Sequence, residues 1–284
     1  MSPGNRLEHH EKKSFIRSNA RFSFHVMSCQ NEEKSEADTK VTVKHSSEII
    51  WEKLNPARGD QSPKAGTIWG NRNGTEATGF LAEFKDGFSS PAHIHNVTYR
   101  AVVLSGWVHN DDPEAEKMWM PTGSFWTQPA GEAHITAARG SSTIAYVEID
   151  KGPYLVKPTE EAFDEGERPV NIDASNIVWQ NASESDYVKN TEAEIAFLWK
   201  NKELKGSLIR IPANYSGKIQ SEGSIFHAVV IQGNPIYQLK KEKTSLDPGS
   251  YFSSEGKTNH LLSTSDGESS TLYIRSNGAF TVSN

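Results

Sequence analysis

The chain is poor in cysteine, has no long apolar run and carries no basic stripe, and each scarcity removes a class of protein. A single cysteine, Cys29, can form no internal disulfide and cannot build a cysteine-based zinc cluster. No apolar stretch approaches the roughly 20 residues that a membrane-spanning helix needs. Basic residues do not gather: 30 Lys and Arg against 36 Asp and Glu give a formal charge of −6, and the Lys12-Lys13 and Lys240, Lys241, Lys243 runs are short or interrupted. Binding to nucleic acid by counterion release needs a stronger basic footprint and is not expected.

What remains is a chain of 284 residues, 35% hydrophobic and 23% charged, long enough for two domains that each bury a core. Residues 1–40 are polar and charged without a sustained period, which predicts a disordered tail. Within it Val26-Met27-Ser28-Cys29, followed by the polar run Gln30 to Glu36, resembles the lipidation site and tether of bacterial lipoproteins. The apolar stretch before it, Phe22 to Val26, is too short for a signal sequence and contains His25. Two readings of location stay open: a cytoplasmic protein, or an exported lipoprotein anchored through Cys29.

From Lys40 onward short segments rich in β-branched and aromatic residues alternate with Gly, Pro, Asn and Asp turns, the pattern of an all-β sandwich or barrel. Strands are expected at 48–51, 67–69, 80–84, 93–104, 117–119, 124–127, 133–137 and 143–149. The second half repeats the first. Glu48-Ile49-Ile50-Trp51 is answered by Asn176-Ile177-Val178-Trp179, Ala101 to Gly106 by Ala228 to Gly233, and Gly123-Ser124-Phe125 by Gly249-Ser250-Tyr251. The offset stays between 126 and 130 residues, a register that unrelated β-rich sequence would not hold. The expected organisation is therefore a tail at 1–40, a first barrel at 41–157, a connector at 158–173 and a second barrel at 174–284. Part of the connector is a candidate for a strand exchanged between barrels.

The chemistry concentrates in the first copy. A strand has period two, so His93 and His95 point to the same face and can share one metal ion. A third imidazole comes from Pro129-Ala130-Gly131-Glu132-Ala133-His134, where Pro and Gly make a turn that delivers His134 to the start of another strand.

These two segments resemble the motifs of the cupin superfamily. Gly87, His93, His95 and Gly106 fit the first motif and Gly123, Pro129, Gly131 and His134 the second, at the right spacings. The resemblance implies two tandem jelly-roll β-barrels, a bicupin, with a divalent metal in the mouth of the first barrel. This chain departs from the pattern at the glutamate ligand, replaced by Tyr99, and at the closing asparagine, replaced by Ala138. Three histidines with open positions remain a sensible site, and the metal is left as Fe, Zn, Mn or Ni. Tyr99 is the candidate catalytic residue, a hydrogen-bond donor to whatever the metal binds. Within the superfamily the chain resembles bicupins of the DUF4437 group, and more distantly cupins of the ChrR type, through Pro91 to Leu104 and Lys117 to His134.

In the second copy the same spacing gives Gln220, Glu222 and His260, a second candidate site that reads as degraded. His227 is expected to face outward, and His109 to lie on the surface. Trp107, Trp119, Phe125, Trp126 and Tyr146 are expected around the first site, some lining an apolar pocket. The acidic run Asp111, Asp112, Glu114 and Glu116 reads as a solvated turn. The resulting expectation is a metal-dependent, dioxygenase-like enzyme acting on a small organic molecule. A non-catalytic sensor or binding module is the alternative, a seed-globulin-like structural role a weaker one, and a homodimer formed by sheet pairing is also expected.

Overall fold

A computed structural model describes residues 40–284, whose regular structure is strands joined by loops and a few short 3-10 turns. Cys29 and the tail lie outside the described residues. The first barrel is one eight-stranded sheet in the order Val170–Ile172, Phe125–Gln128, Tyr99–Asp111, Ile135–Ile149, Thr78–Phe84, Lys64–Trp69 and Trp51–Lys53, with Met120–Pro121 paired to Tyr99–Asp111. A small ladder of Ile94–His95 with Val156–Lys157 sits at its mouth. The second barrel has two six-stranded sheets. One runs from Val41–Lys44 through Tyr251–Ser254, Phe226–Gln232, Ser270–Ser276 and Leu204–Ile211 to Glu194–Asn201. The other holds Val188–Lys189, Phe280–Ser283, Ser216–Ser221, Thr258–Ser263, Ile236–Leu239 and Glu242–Ser245.

Two exchanges cross the expected divisions. Val41–Lys44, expected in the first barrel, pairs with Tyr251–Ser254 of the second. Val170–Ile172, from the connector, pairs with Phe125–Gln128 of the first.

The apolar runs Ala101 to Leu104 and Ala228 to Ile231 are buried on both faces, which is why they do not alternate with polar residues. Ala101 and Val103 fill the first barrel, and Ala228 and Val230 fill the second. Val102, Leu104, Val229 and Ile231 meet in a third cluster between the barrels, with Phe125, Tyr146, Tyr251 and Tyr273. Tyr99–Asp111 bends where its register slips between Val103 and Trp107. Gly106 sits in that bend at φ +72°, with Thr143 so close that any Cβ would collide with it. A glycine is needed there on both counts.

Three of the local expectations that changed concern strand boundaries near the first site and its barrel. The segment at 48–51 begins as a 3-10 turn, Ser46–Glu48, before the strand Trp51–Lys53. The pairing expected at 117–119 falls instead on Met120–Pro121. The long strand expected at 93–104 is broken after His95, because the backbone of Ile94–His95 pairs with Val156–Lys157 whereas from Tyr99 onward it pairs with Phe125–Gln128 and Ile135–Ile149.

Candidate metal centre

His93 and His134 face each other as a closely paired antiparallel bridge, exchanging backbone hydrogen bonds of 3.0 Å in both directions. Directly opposed residues project to the same side of a sheet, so their rings meet at 4.3 Å between centroids. His95, two residues on, shares that side, and its carbonyl accepts from the Gly131 N–H at 2.8 Å, which ties the turn before His134 to the His93–His95 segment. Gly131 has φ +77°, and a Cβ there would strike the Phe163 carbonyl of the connector. One ring nitrogen from each of the three histidines lies within 4.8 Å of the others, and among the described residues this is the one such cluster.

The ring nitrogens are not equivalent. Each Nδ1 lies against a backbone carbonyl: His93 against Pro91 at 2.9 Å, His95 against Leu155 at 3.0 Å and His134 against Glu132 at 3.1 Å. A carbonyl only accepts, so each Nδ1 carries the proton and each Nε2 presents a lone pair. The His93 and His95 Nε2 atoms are then two acceptors facing each other at 3.2 Å, an arrangement that a cation between them relieves. This donor set fits a divalent metal, with the carbonyls fixing tautomer and ring orientation. Burial keeps the rings neutral and able to bind: it lowers His93, holds His95 well below the usual imidazole range and takes His134 down to about 3.

Behind the histidines runs a chain of neutral polar groups whose orientation can be deduced. Gln128 Nε2 donates to the Glu132 carbonyl at 3.3 Å, so Gln128 Oε1 must face Asn110 and accept from its Nδ2 at 2.9 Å. Asn110 Oδ1 then accepts from Thr136 Oγ1 at 2.7 Å and from the Tyr99 hydroxyl at 2.9 Å. Tyr99 lies 3.4 Å from His134 Nε2, as its sequence position suggested, but its one proton is committed to Asn110. In this geometry the Tyr99 hydroxyl points to Asn110 and not to the ring nitrogens, and burial pushes its pKa up to about 12.

Sequence reasoning missed Tyr154, whose hydroxyl is 3.1 Å from His95 Nε2 and whose ring stacks on His95. It lies 59 residues beyond His95, and only the ladder of Val156–Lys157 with Ile94–His95 brings the two together. No spacing rule marks such a residue. Of the five aromatics expected near the site, only Trp126 lies in the first barrel's core beside Tyr99. Phe125 and Tyr146 face the second barrel, Trp107 is 40% exposed, and Trp119 packs outside with Arg139. His109, expected on the surface, is buried next to Trp119 because the Asp112–Met118 loop folds back over that strand. His227 does leave its own barrel, but it packs on Trp69 of the other at 4.4 Å.

Gln220, Glu222 and His260 are not brought together. The ladder pairs His260 with Ile219, just as His134 pairs with His93, so His93 corresponds to Ile219 and His95 to Ser221. The sequence correspondence was one residue out, and a one-residue shift turns a strand's side chains to the opposite face. Glu222 is exposed, while His260 is buried with Nδ1 2.9 Å from the Tyr237 hydroxyl and Nε2 3.0 Å from Ser254 Oγ.

Paired jelly-roll barrels of this kind, with imidazoles gathered at one mouth, define a bicupin. The chain belongs to the DUF4437 family, described as a domain of unknown function, whose profile matches residues 42–283. Solved cupins resemble it in fold at low identity. A Nostoc punctiforme protein described as a candidate dioxygenase is 11% identical, with a TM-score of 0.67, covering 84% of this chain and 83% of that one. Salicylate 1,2-dioxygenase from Pseudoaminobacter salicylatoxidans is 12% identical, with a TM-score of 0.55 and coverage of 84% and 81%. Vicilin from Corylus avellana is 11% identical, with a TM-score of 0.54 and coverage of 84% and 87%. No protein of curated function matches in sequence.

Proposed function

We propose that the chain is a metal-dependent enzyme of dioxygenase type that acts on a small organic molecule in the first barrel. The observation that carries this reading is the convergence of three neutral imidazoles, each with Nδ1 held by a backbone carbonyl and Nε2 turned to a common point. Three protein ligands leave coordination positions open, and a divalent iron there supplies Lewis acidity and one-electron redox capacity. The protein's own part is positional. Pro91, Leu155 and Glu132 fix the rings, the Tyr99–Asn110–Gln128 chain supports His134 from behind, and the Val97, Tyr99 and Trp126 core keeps water from the inner side. His93, half-buried while His95 and His134 are buried, marks the side from which a substrate enters.

Metal content of protein purified without chelators, followed by oxygen uptake of Fe(II)-loaded protein with a panel of diketones and hydroxyaryl ketones, tests the reading. About one iron per chain and substrate-dependent uptake are expected, and both are expected to be lost in His134→Ala. Metal binding without oxygen uptake across the panel would favour the binding or sensing module instead.

A further inference from the structure

Tyr154 approaches the imidazoles differently from Tyr99. Its ring lies nearly parallel to that of His95, with centroids 4.3 Å and planes 16° apart, and its hydroxyl is 3.1 Å from Nε2. A hydroxyl carried in a parallel plane meets that nitrogen from above the ring, whereas the nitrogen lone pair lies in the ring plane. The lone pair stays available to a cation, and the Tyr154 proton stays available to an acceptor beside that cation. The Tyr99 proton is already held by Asn110.

The charge around the cluster points to the kind of acceptor. Among the described residues no carboxylate joins the three histidines. Neutral imidazoles leave the charge of a divalent cation uncompensated in a poorly solvated barrel, where unpaired charge is costly. An occupant that brings negative charge on oxygen answers both the cation and the hydroxyl.

We propose that Tyr154 and a cation held by His93, His95 and His134 together form a subsite for a small oxygen anion. One oxygen of a carboxylate, enolate or phenolate sits on the cation, and that oxygen or its neighbour accepts from the Tyr154 hydroxyl. The subsite rests on the metal reading above and makes Tyr154 a determinant of which ligand the site selects.

Co(II)-loaded protein, followed by visible absorption during titration with acetate and separately with imidazole, provides the test. Imidazole binds a cation through nitrogen and presents only an N–H on its far side, so Tyr154 has nothing there to donate to. Tyr154→Phe keeps the ring that stacks on His95 and removes only the hydroxyl. It is expected to bind Co(II) and imidazole as the wild type does and acetate about tenfold more weakly, the loss of one hydrogen bond to a charged acceptor. Unchanged acetate affinity in Tyr154→Phe would overturn the subsite and leave the metal reading standing. Weakening of imidazole and acetate alike, or loss of Co(II) from that variant, would overturn it too, since Tyr154 would then only shape the site. A wild-type protein that binds no Co(II) would remove the subsite and the metal reading together.

Discussion

His260 occupies in the second barrel the place His134 holds in the first, yet both its ring nitrogens are taken by Tyr237 and Ser254. Two further histidines make His134 a candidate ligand; Ile219 and Ser221 leave His260 a core residue. Its burial has a measurable cost in acid. Burial takes its pKa down to about 3, from an ordinary 6.5, so between these values the unfolded chain holds a proton that the native state does not. Its contribution to stability is therefore complete above pH 6.5 and shrinks as pH falls toward 3. Chelator-treated protein is expected to show a lower urea midpoint at about pH 4.5 than at about pH 7.5, and His260→Gln a smaller drop, since an amide cannot titrate there. A pH-independent difference between the two proteins would contradict this account. At this scale the sequence was readable where local spacing decides geometry, as for His93, His95 and His134. It was silent where a partner arrives from far along the chain, as for Tyr154, and it misplaced Gln220 because alignment by similarity cannot see a ladder slip by one residue.

The segment from Gly152 to Lys157 forms a strap across the mouth of the first barrel. Asn96 clamps it at both ends of one turn, donating from Nδ2 to the Pro153 carbonyl at 3.0 Å and accepting from the Leu155 N–H at 2.8 Å. The Leu155 carbonyl in turn fixes the tautomer of His95. Asn96→Ala removes both clamps while leaving the barrel's apolar core intact. Metal affinity, measured by competition with a chelating dye, is expected to fall about tenfold, with little change in melting temperature. An unaltered affinity would mean that the Val156–Lys157 ladder suffices to hold the strap. The strap also explains why the strand expected from His93 to Leu104 was drawn too long: alternation of apolar residues continues through Val97, but the backbone pairs with the strap at Ile94–His95 and with the barrel sheet only from Tyr99. The turns fared better, because Pro129, Gly131 and Gly106 state in sequence the backbone geometry they require.

Across the whole molecule the two halves meet through an apolar cluster with a polar centre. Glu148, fully buried, accepts from the Tyr146 hydroxyl at 3.0 Å, from the Tyr273 hydroxyl at 2.7 Å and from Arg275 at 3.2 Å. Trp69 and Trp199 donate to those same two hydroxyls at 2.9 and 2.8 Å, one from each barrel. Arg275 also reaches Asp150 at 2.7 Å, and Asp150 reaches Arg100 at 3.1 Å. Glu148 pairs with Arg100 in one sheet as Arg275 pairs with His227 in the other, so equivalent positions in the repeat carry opposite charge and meet. The repeat was legible in sequence, but charge complementarity at its axis was not, since it depends on how the copies face each other. Glu148→Ala strips Arg275 of one counter-charge in a dry interface and is expected to cost about 3–5 kcal/mol in chemical denaturation. A much smaller loss would mean that Asp150 alone suffices for Arg275.

The reciprocal placement of Val41–Lys44 and Val170–Ile172 gives the duplication a topological lock. Each half borrows its outermost ladder from a stretch of chain that precedes the opposite half. Severing the backbone in the exposed run near Gly166 would still leave the two pieces interlaced, like clasped hands cut apart only at the shoulder. Either piece made on its own would expose a raw sheet edge hungry for pairing.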